Sequence, residues 1–314
     1  MKNQVSAGSE TVSFWTKACK FIKKYYAGYL FVLPVVIGIC WFTLVPMVMS
    51  FVYSFFDYDV INPLTNFGLQ NYIRPFKQDW GQFSTSLRVT FTYSLISIPL
   101  NMVLSFALAM FLNQKHIKGM KFFRVLYYLP VLIPAVISGF LWMQITDVQY
   151  GIANELFRAL GLPEYEFYSS ERTTMPTLIG TGLFGLGGGM IMWLASLRGI
   201  PEQLFEAASL EGAGFFTRTF RITIPMCTPI IFYNLIMGII NSLQMFASVF
   251  VISSAGGGPG DALLFYVVNV YNKAFGQLRM GYASALSWIL FVIIALLSVI
   301  VFKTNKWVYY GEDA

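Results

Sequence analysis

Long apolar runs separated by short polar segments make up most of this 314-residue chain. A helix needs about 17–25 mostly apolar residues to cross a hydrocarbon layer of about 30 Å, and six runs reach that length. The pattern therefore predicts six transmembrane helices, at residues 28–53, 86–113, 122–145, 175–197, 222–252 and 283–304. The first run is longer than the core of a signal peptide and no small-residue cleavage site follows it, so we expect it to remain as a helix.

Composition agrees with a membrane protein. Hydrophobic residues make up 56% of the chain and charged residues only 11%, which is too little charge to coat a water-soluble domain of this length. Six apolar helices and no alternating strand pattern predict an all-α polytopic membrane protein. The cysteines, at positions 19, 40 and 227, have neither disulfide-framework nor metal-site spacing.

The distribution of basic residues predicts the orientation, because lysine and arginine are retained on the cytoplasmic side. Of the 21 basic residues, five precede the first helix, four lie between helices two and three, three lie between helices four and five, and two follow helix six. Both termini are therefore expected in the cytoplasm, and the net charge of +6 needs no nucleic-acid partner. We expect a tail at 1–27 whose basic amphipathic helix lies on the inner leaflet, a membrane domain at 28–306 and a cytoplasmic tail at 307–314.

A polar segment at residues 200–221 interrupts the apolar pattern with two short amphipathic stretches. Pro201 suits the first position of a helix, because its missing N–H would have no helical partner there. That helix would end at Gly212, since glycine readily adopts the positive φ of a helix C-terminus. The like charges of Glu202 and Glu206 disfavour the isolated helix, and a basic partner outside the chain would account for them. The alternative is a solvated loop between helices.

The second stretch predicts another short helix before Pro225 begins the fifth span. It carries three aromatic side chains, Phe215, Phe216 and Phe220. From Glu206 to Pro225 the chain resembles, over the whole length, the EAA loop of bacterial ABC-importer permeases, through which an ATPase drives a transmembrane subunit. The positions that match the family pattern are Glu206, Ala207, Ala208, Gly212, Ala213, Ile222 and Pro225. Glu211 replaces the usual aspartate and Ile224 the usual leucine, and both replacements keep the chemistry.

Four further stretches resemble the carbohydrate-uptake branch of that family, at residues 151–161, 256–260, 271–275 and 280–285. The last three are similar to the maltose- and glycerol-phosphate-type first permease subunit. Residues 54–85 form only a modest loop, without the large extracellular insertion of the maltose subunit. The resemblance therefore covers most of the chain but not that insertion.

The resemblance implies a type I ABC-importer permease in the bacterial cytoplasmic (inner) membrane. Its partners would be a second homologous permease, two ATPase subunits that bind ATP and magnesium, and an extracytoplasmic solute-binding protein. This chain would hold no cofactor or metal, catalyse no covalent reaction and form half of the pathway for a carbohydrate. Glu206 would contact the ATPase, Gly212 would shape the turn, and Ala207, Ala208, Ala213 and Phe216 would complete the coupling surface. Importers of non-sugar solutes share this loop, so a permease for such a solute is the alternative.

Neutral polar side chains within the spans are candidates for the substrate pathway. At about 100° per residue, Asn234 and Asn241 lie within about 20° of each other around helix five, and Gln244 within about 80° of Asn234. Amides in hydrocarbon need partners, and amides near aromatic rings suit sugar hydroxyls. Hydrogen bonding between helices explains them equally well. Weaker candidates are Asn101, Tyr93, Tyr128 and Trp288.

No catalytic or nucleotide-binding pattern stands out. The sequence has no GxxxxGK[ST] motif, its GxGxxG match at 180–185 lies in an apolar span, and His116 has no acid nearby. We interpret Thr181, Gly185 and Gly189 as small residues for close helix packing. The predicted spans contain no Asp or Glu, which disfavours a self-contained ion-coupled transporter or channel. A membrane-embedded enzyme would need an acid, histidine or metal cluster that the sequence does not offer.

Overall fold

The structure is a computed structural model that describes residues 14–114, 118–254 and 256–309. These residues form helices and connecting loops, and their one strand-like pairing is an antiparallel bridge between Asp57 and Thr65. The predicted all-α class is confirmed. The chain divides into two compact units, Met1–Val52 and Tyr53–Ala314, which are described in turn.

The first unit is a single helical path. It consists of α1 (Phe14–Ile39), a π-helical turn (Cys40–Leu44) and α2 (Val45–Tyr53), whose last residue begins the second unit. Gly28–Tyr53 is long and apolar enough to cross a membrane, as predicted. The predicted boundary at residue 27 falls inside α1. The side chains of the predicted basic face of the N-terminal helix are not among those that the structure describes, so this face stays a prediction.

The second unit contains the remaining helices. They are α3 (Gln70–Lys77), α4 (Trp80–Leu112), α5 (Met120–Tyr128), α6 (Ala135–Ile145), α7 (Ile152–Ala159), α8 (Glu171–Gly182), α9 (Gly187–Arg198), α10 (Glu202–Leu210), α11 (Phe215–Arg218), α12 (Ile224–Met226), α13 (Thr228–Leu243), α14 (Ala247–Ile252), α15 (Tyr266–Tyr271) and α16 (Met280–Lys303). In the described part of the chain, four helices are long and apolar enough to span a membrane, or six if two bent pairs each count as one span.

The third predicted span is bent sharply, so the prediction of one unbroken helix over 122–145 is wrong. Helix α5 and its 3-10 extension (Leu129–Leu132) meet α6 at an angle of 98°. Between them, Ile133 has extended backbone (φ −78°, ψ 121°). The following residue, Pro134, explains this conformation, because proline disfavours helical dihedrals in the residue before it.

The fourth and fifth predicted spans are also interrupted. Helix α8 and its 3-10 extension (Leu183–Gly185) meet α9 at 48° in a glycine-rich stretch. Helix α13 ends at Leu243, and residues 244–246 separate it from α14. One cavity of about 230 Å³ is lined by residues of both bent pairs, including Ile133 and Gly185, and by Ser248 in the first turn of α14.

The fifth span does not begin at Pro225, contrary to the prediction. Helical backbone starts at Phe215 in α11 and continues through a π turn (Thr219–Thr223) into α12, which contains Pro225. The π turn of the first unit stands in the same relation to Pro46. In a regular helix, a proline ring clashes with the carbonyl four residues earlier, and a wider turn before the proline relieves that clash.

Close contacts join α4 and α5 to α9. The Trp193 indole N–H donates to the Ser105 hydroxyl at 3.0 Å, and a Cβ at Gly189 would lie 3.2 Å from the same side chain. A Cβ at Gly187 would overlap the carbonyl oxygen of Tyr127. The predicted role of Gly189 in helix packing is confirmed. At Gly185 a Cβ would meet nothing within 4 Å among the described residues, so a packing role there stays a prediction.

Two polar contacts fix the ends of the long helices. The buried ammonium of Lys273 lies 3.4 Å from Oδ2 of Asp79, the residue just before α4. At the other end of the unit, the chain after α16 folds back on the start of α13. There the Tyr309 N–H donates to Oγ1 of Thr228 at 2.8 Å, and buried Val308 precedes it.

Candidate functional site

The polar segment after α9 forms the capped helix that the sequence predicts. Pro201 precedes α10, and Gly212 follows it with φ +77°. The Gly212 N–H donates to the Ser209 carbonyl at 3.1 Å, and the Ala213 N–H to the Ala208 carbonyl at 2.8 Å. These paired bonds make a Schellman motif, which satisfies carbonyls at the helix end. The predicted positive φ of Gly212 is confirmed.

This segment has an anchored base and an apolar tip. Phe205 packs on the buried cluster around Leu197, Ile200 and Cys227, which fixes α10 to the helix bundle. At the tip, Leu210 is 91% exposed. The side chains of Phe215, Phe216 and Phe220 are also exposed. An exposed apolar patch of this kind marks an interaction surface.

The predicted contact residues lie on this surface to different degrees. Glu206 and Ala207 are exposed, whereas Ala208 and Ala213 are half-buried beside the Schellman turn. Arg218 on α11 donates to the Ser209 hydroxyl at 3.4 Å and so ties the two short helices together. The positions of these residues suit a partner that contacts both short helices of the segment. Contact with an ATPase stays a prediction for each of them.

A second candidate site is a cavity of about 320 Å³ between α4, α9 and α13. It brings together four side chains proposed from the sequence, Asn101 and Tyr93 on α4 and Asn234 and Asn241 on α13. All of the residues that line the cavity are neutral. Such a surface offers hydrogen-bond donors and acceptors without a fixed charge.

Asn234 carries a buried amide donor in this lining. Its Nδ2 is buried and has no hydrogen-bond partner among the described residues. A buried polar group without a partner costs about 1–3 kcal/mol, so the amide is expected to bond to something that enters the cavity. Water and a polyhydroxy solute both have suitable oxygen acceptors.

The family follows from comparison with a known protein. Over 287 residues the chain is 37% identical to YesP, a probable ABC transporter permease protein of Bacillus subtilis, and the match covers 90% of this chain and 92% of YesP. The chain belongs to the ABC transporter permeases. A second relative is the trehalose/maltose transport system permease protein MalF of Thermococcus litoralis, which is 28% identical over 284 residues. That match covers 89% of the permease and 93% of MalF. No protein-family model matches the permease.

A solved structure supports the fold of the permease. A chain in the crystal structure of a bacterial alginate ABC transporter, in complex with alginate pentasaccharide-bound periplasmic protein, matches it with a TM-score of 0.81. The sequence identity is 22%, and the match covers 91% of the permease and 96% of that chain. The architecture is therefore that of an ABC-importer permease, as the sequence predicts.

Three pathway candidates lie away from the cavity of the permease. Gln244 is exposed just beyond the end of α13. Tyr128 is the last residue of α5, and Trp288 on α16 packs its ring on Phe291. None of the three lines the cavity. The two asparagines of α13 therefore line the cavity together and Gln244 does not, and contact with a substrate stays a prediction for each.

The sequence analysis also missed three serines of the cavity, Ser97 and Ser105 on α4 and Ser242 on α13. Tyr93, Ser97, Asn101 and Ser105 line it at strict four-residue spacing along α4. Residues four apart lie on one helix face, so this stripe was visible in the sequence. It marks the face that α4 turns towards α13.

Proposed function

We propose that this permease forms half of the translocation pathway of a carbohydrate importer. The observation that carries the proposal is the neutral cavity between α4 and α13, with amides, hydroxyls and an unpaired Asn234 donor. Sugar hydroxyls need both donors and acceptors, and a pathway must bind its solute weakly enough to release it. The names of MalF, a trehalose/maltose permease, and of the alginate transporter support this substrate class.

The proposed assembly contains one copy of this chain, a second homologous permease, two ATPase subunits and an extracytoplasmic solute-binding protein. ATP and magnesium bind to the ATPase subunits, and this chain catalyses no covalent reaction. The permease crosses the bacterial cytoplasmic membrane six times, with its termini and residues 200–221 on the cytoplasmic side. The excess of basic residues in those segments supports this orientation.

In this assembly the segment at 200–221 is the coupling loop. The exposed phenylalanines and Leu210 fill an apolar cleft on the ATPase, while Glu206 faces a basic group there. The Schellman turn at Gly212 holds the two short helices at a fixed angle. ATP-driven closure of the ATPases then moves α11 to α13 as one connected helical path, and α13 carries Asn234 and Asn241.

The cavity role is tested by Asn234→Leu, with Gln244→Leu as a control outside the cavity. The complex is purified through a tag on this chain, reconstituted with its binding protein and assayed for ATPase stimulation and uptake with a panel of sugars. We expect Asn234→Leu to reduce sugar uptake at least about tenfold without lowering thermal stability, because it replaces an unpaired buried amide by an apolar group. Unchanged uptake by Asn234→Leu would refute the cavity role.

The coupling role is tested separately. Glu206→Lys should release the ATPase from the purified complex or abolish uptake, while the chain still inserts in the membrane. If the complex takes up a non-sugar solute and none of the sugars, the alternative substrate class would be favoured. Purification of a stable chain without any ATPase would instead favour a self-contained transporter or channel.

A further inference from the structure

A second polar cavity, the loop cavity, lies between the loop that follows α2, the helix α3 and the start of α16. Its volume of about 580 Å³ lies within the range of roughly 300–1,000 Å³ that is typical of small-molecule sites. Its lining includes two carboxylates, two guanidiniums and one buried amide, which belong to Asp57, Asp59, Arg74, Arg279 and Asn71. None of these residues lines the cavity between α4, α9 and α13, so the two cavities are separate.

Asn71 gives the loop cavity a buried acceptor without a partner. Its side chain is 2% exposed, and Nδ2 donates to the carbonyls of Ser54 at 3.1 Å and Phe56 at 2.8 Å. These two bonds fix which end of the amide is the donor. Oδ1 has no hydrogen-bond partner in the described part of the chain. A buried acceptor of this kind favours a ligand that brings an O–H or N–H donor into the cavity.

The two guanidiniums supply free donors. Arg74 lies over the ring of Tyr282, with Cζ 5.4 Å from the ring centroid, and its Nε donates to Oε1 of Gln78 at 3.2 Å. Arg279 is exposed, and its guanidinium makes no hydrogen bond or ion pair with any residue that the structure describes. A guanidinium with free nitrogens suits a carboxylate, which it can hold by two parallel, charge-assisted hydrogen bonds.

The carboxylates of the lining are largely used within their own loop. Asp59 accepts the Ile61 N–H, the Asn62 N–H and the Asn62 side-chain amide at 3.1, 2.8 and 2.6 Å. These bonds, above all the one from the Asn62 N–H, hold the pKa of Asp59 below its usual value. One oxygen of Asp57 accepts from the Asn66 amide at 3.0 Å. The free donors of the guanidiniums therefore outnumber the free carboxylate oxygens, which favours an anionic group on the ligand.

Helix α3 indicates that this ligand comes from water. At about 100° per residue, Asn71 and Arg74 lie about 60° apart, whereas Ile73 and Phe76 lie about 140–160° from Asn71. Ile73 and Phe76 are exposed. In a helix beside a membrane, the apolar face turns towards the acyl chains and the polar face towards water. The loop cavity, on the polar face, is thus accessible to a dissolved solute rather than to lipid.

We propose that the loop cavity binds an acidic sugar unit of the imported saccharide. The sugar carboxylate pairs with Arg279, a sugar hydroxyl donates to Oδ1 of Asn71, and the apolar face of the ring lies on Tyr58, which also lines the cavity. The proposal rests on the proposed importer function, because alternation of the spans then puts residues 54–79 outside the cell membrane. It adds to that function a charge preference for the substrate and a second binding site.

The test measures binding of glucuronate, glucose and acetate to the purified complex in lipid nanodiscs, by saturation-transfer NMR titration without the binding protein. Arg279→Gln removes the free guanidinium. Lys77→Gln is the matched control, because Lys77 is an exposed basic residue at the end of α3 that does not line the cavity. Asn234→Leu alters the other cavity and leaves this one intact.

We expect glucuronate to bind more tightly than glucose or acetate, because it alone has both a carboxylate and sugar hydroxyls. Arg279→Gln should raise the Kd for glucuronate at least about tenfold, through the loss of a charge-assisted contact. Arg279→Lys keeps the charge without the two-point geometry and should give an intermediate Kd. Lys77→Gln and Asn234→Leu should bind glucuronate like the unaltered complex.

Three results would overturn the acidic-sugar proposal while the importer function stands. The first is a Kd for glucuronate that Arg279→Gln leaves unchanged or that Lys77→Gln raises equally. The second is acetate binding as tight as glucuronate binding, which indicates an anion site without sugar specificity. The third is glucuronate binding that is lost in Asn234→Leu, which assigns the ligand to the other cavity. An unaltered complex that imports no sugar, neutral or acidic, would overturn both proposals.

Discussion

Replacement of Gly212 by alanine tests the coupling segment at its most constrained residue. Gly212 has φ +77°, and a Cβ added there would meet nothing within 4 Å. The substitution therefore creates no clash and acts through the backbone alone. A left-handed conformation costs an L-residue about 1–2 kcal/mol. Gly214 is the matched control, because its φ of −70° suits any residue and its Cβ position is equally open.

The expected effect follows from that cost. An increase of about 1–2 kcal/mol in the free energy of the capped state shifts the balance towards the opened state by about 5–30-fold. The bonds that open are those from the N–H groups of residues 212 and 213 to Ser209 and Ala208. Where local opening limits amide exchange, both amides should exchange faster by the same factor. Gly214→Ala should be neutral or stabilise by about 0.4–1 kcal/mol, because it restricts the unfolded chain.

Hydrogen exchange of the purified permease, followed by mass spectrometry over residues 205–214, measures this effect. Gly212→Asn should fall between the unaltered chain and Gly212→Ala, since asparagine tolerates positive φ better than alanine. Equal exchange in Gly212→Ala and Gly214→Ala would refute the reasoning. It would mean that contacts of the helix, rather than the glycine turn, hold the segment in place.

Three other predictions concern the helix bundle. Gly187→Ala should lower the melting temperature in detergent, because its Cβ would overlap a backbone carbonyl, whereas Gly185→Ala, in open space, should not. Thr228→Val removes the hydroxyl that accepts the Tyr309 N–H, so carboxypeptidase should digest the C-terminus faster than in the unaltered chain. Thr228→Ser keeps a hydroxyl and should restore the slower digestion. Lys273→Met removes the ion-pair partner of the partly buried Asp79 carboxylate and should destabilise by roughly 3 kcal/mol. Neutralising Asp79 as well should recover part of the loss in melting temperature.

Hydropathy located the spans but not their continuity. The predicted sixth helix, 283–304, matches α16 at Met280–Lys303, and the second differs from α4 chiefly by an earlier start at Trp80. An apolar run reports what surrounds a segment, and it does not report whether the segment bends. The bend of the third span could nevertheless be predicted from the sequence, because Ile133 precedes a proline and is therefore disfavoured in helical backbone dihedral angles.

The candidate cavity was predictable where helices are regular. Asn234 and Asn241 lie two turns apart inside α13, so angular spacing placed both on the cavity face. Gln244 does not line the cavity, because α13 ends at Leu243 and angular spacing has no meaning beyond a helix end. Tyr128, the last residue of α5 before the sharp bend, does not line it either. The apolar pattern does not mark helix ends, so angular spacing predicts the face of a residue only inside a regular helix.

The three interrupted spans have a consequence for hydration. Every break leaves backbone N–H and C=O groups without helical partners, and lipid chains offer them none. Residues at or close to the three breaks line one cavity, among them Ile133, Gly185 and Ser248. Water that entered this cavity would offer hydrogen-bond partners to free backbone groups at more than one break, whereas the bilayer offers none.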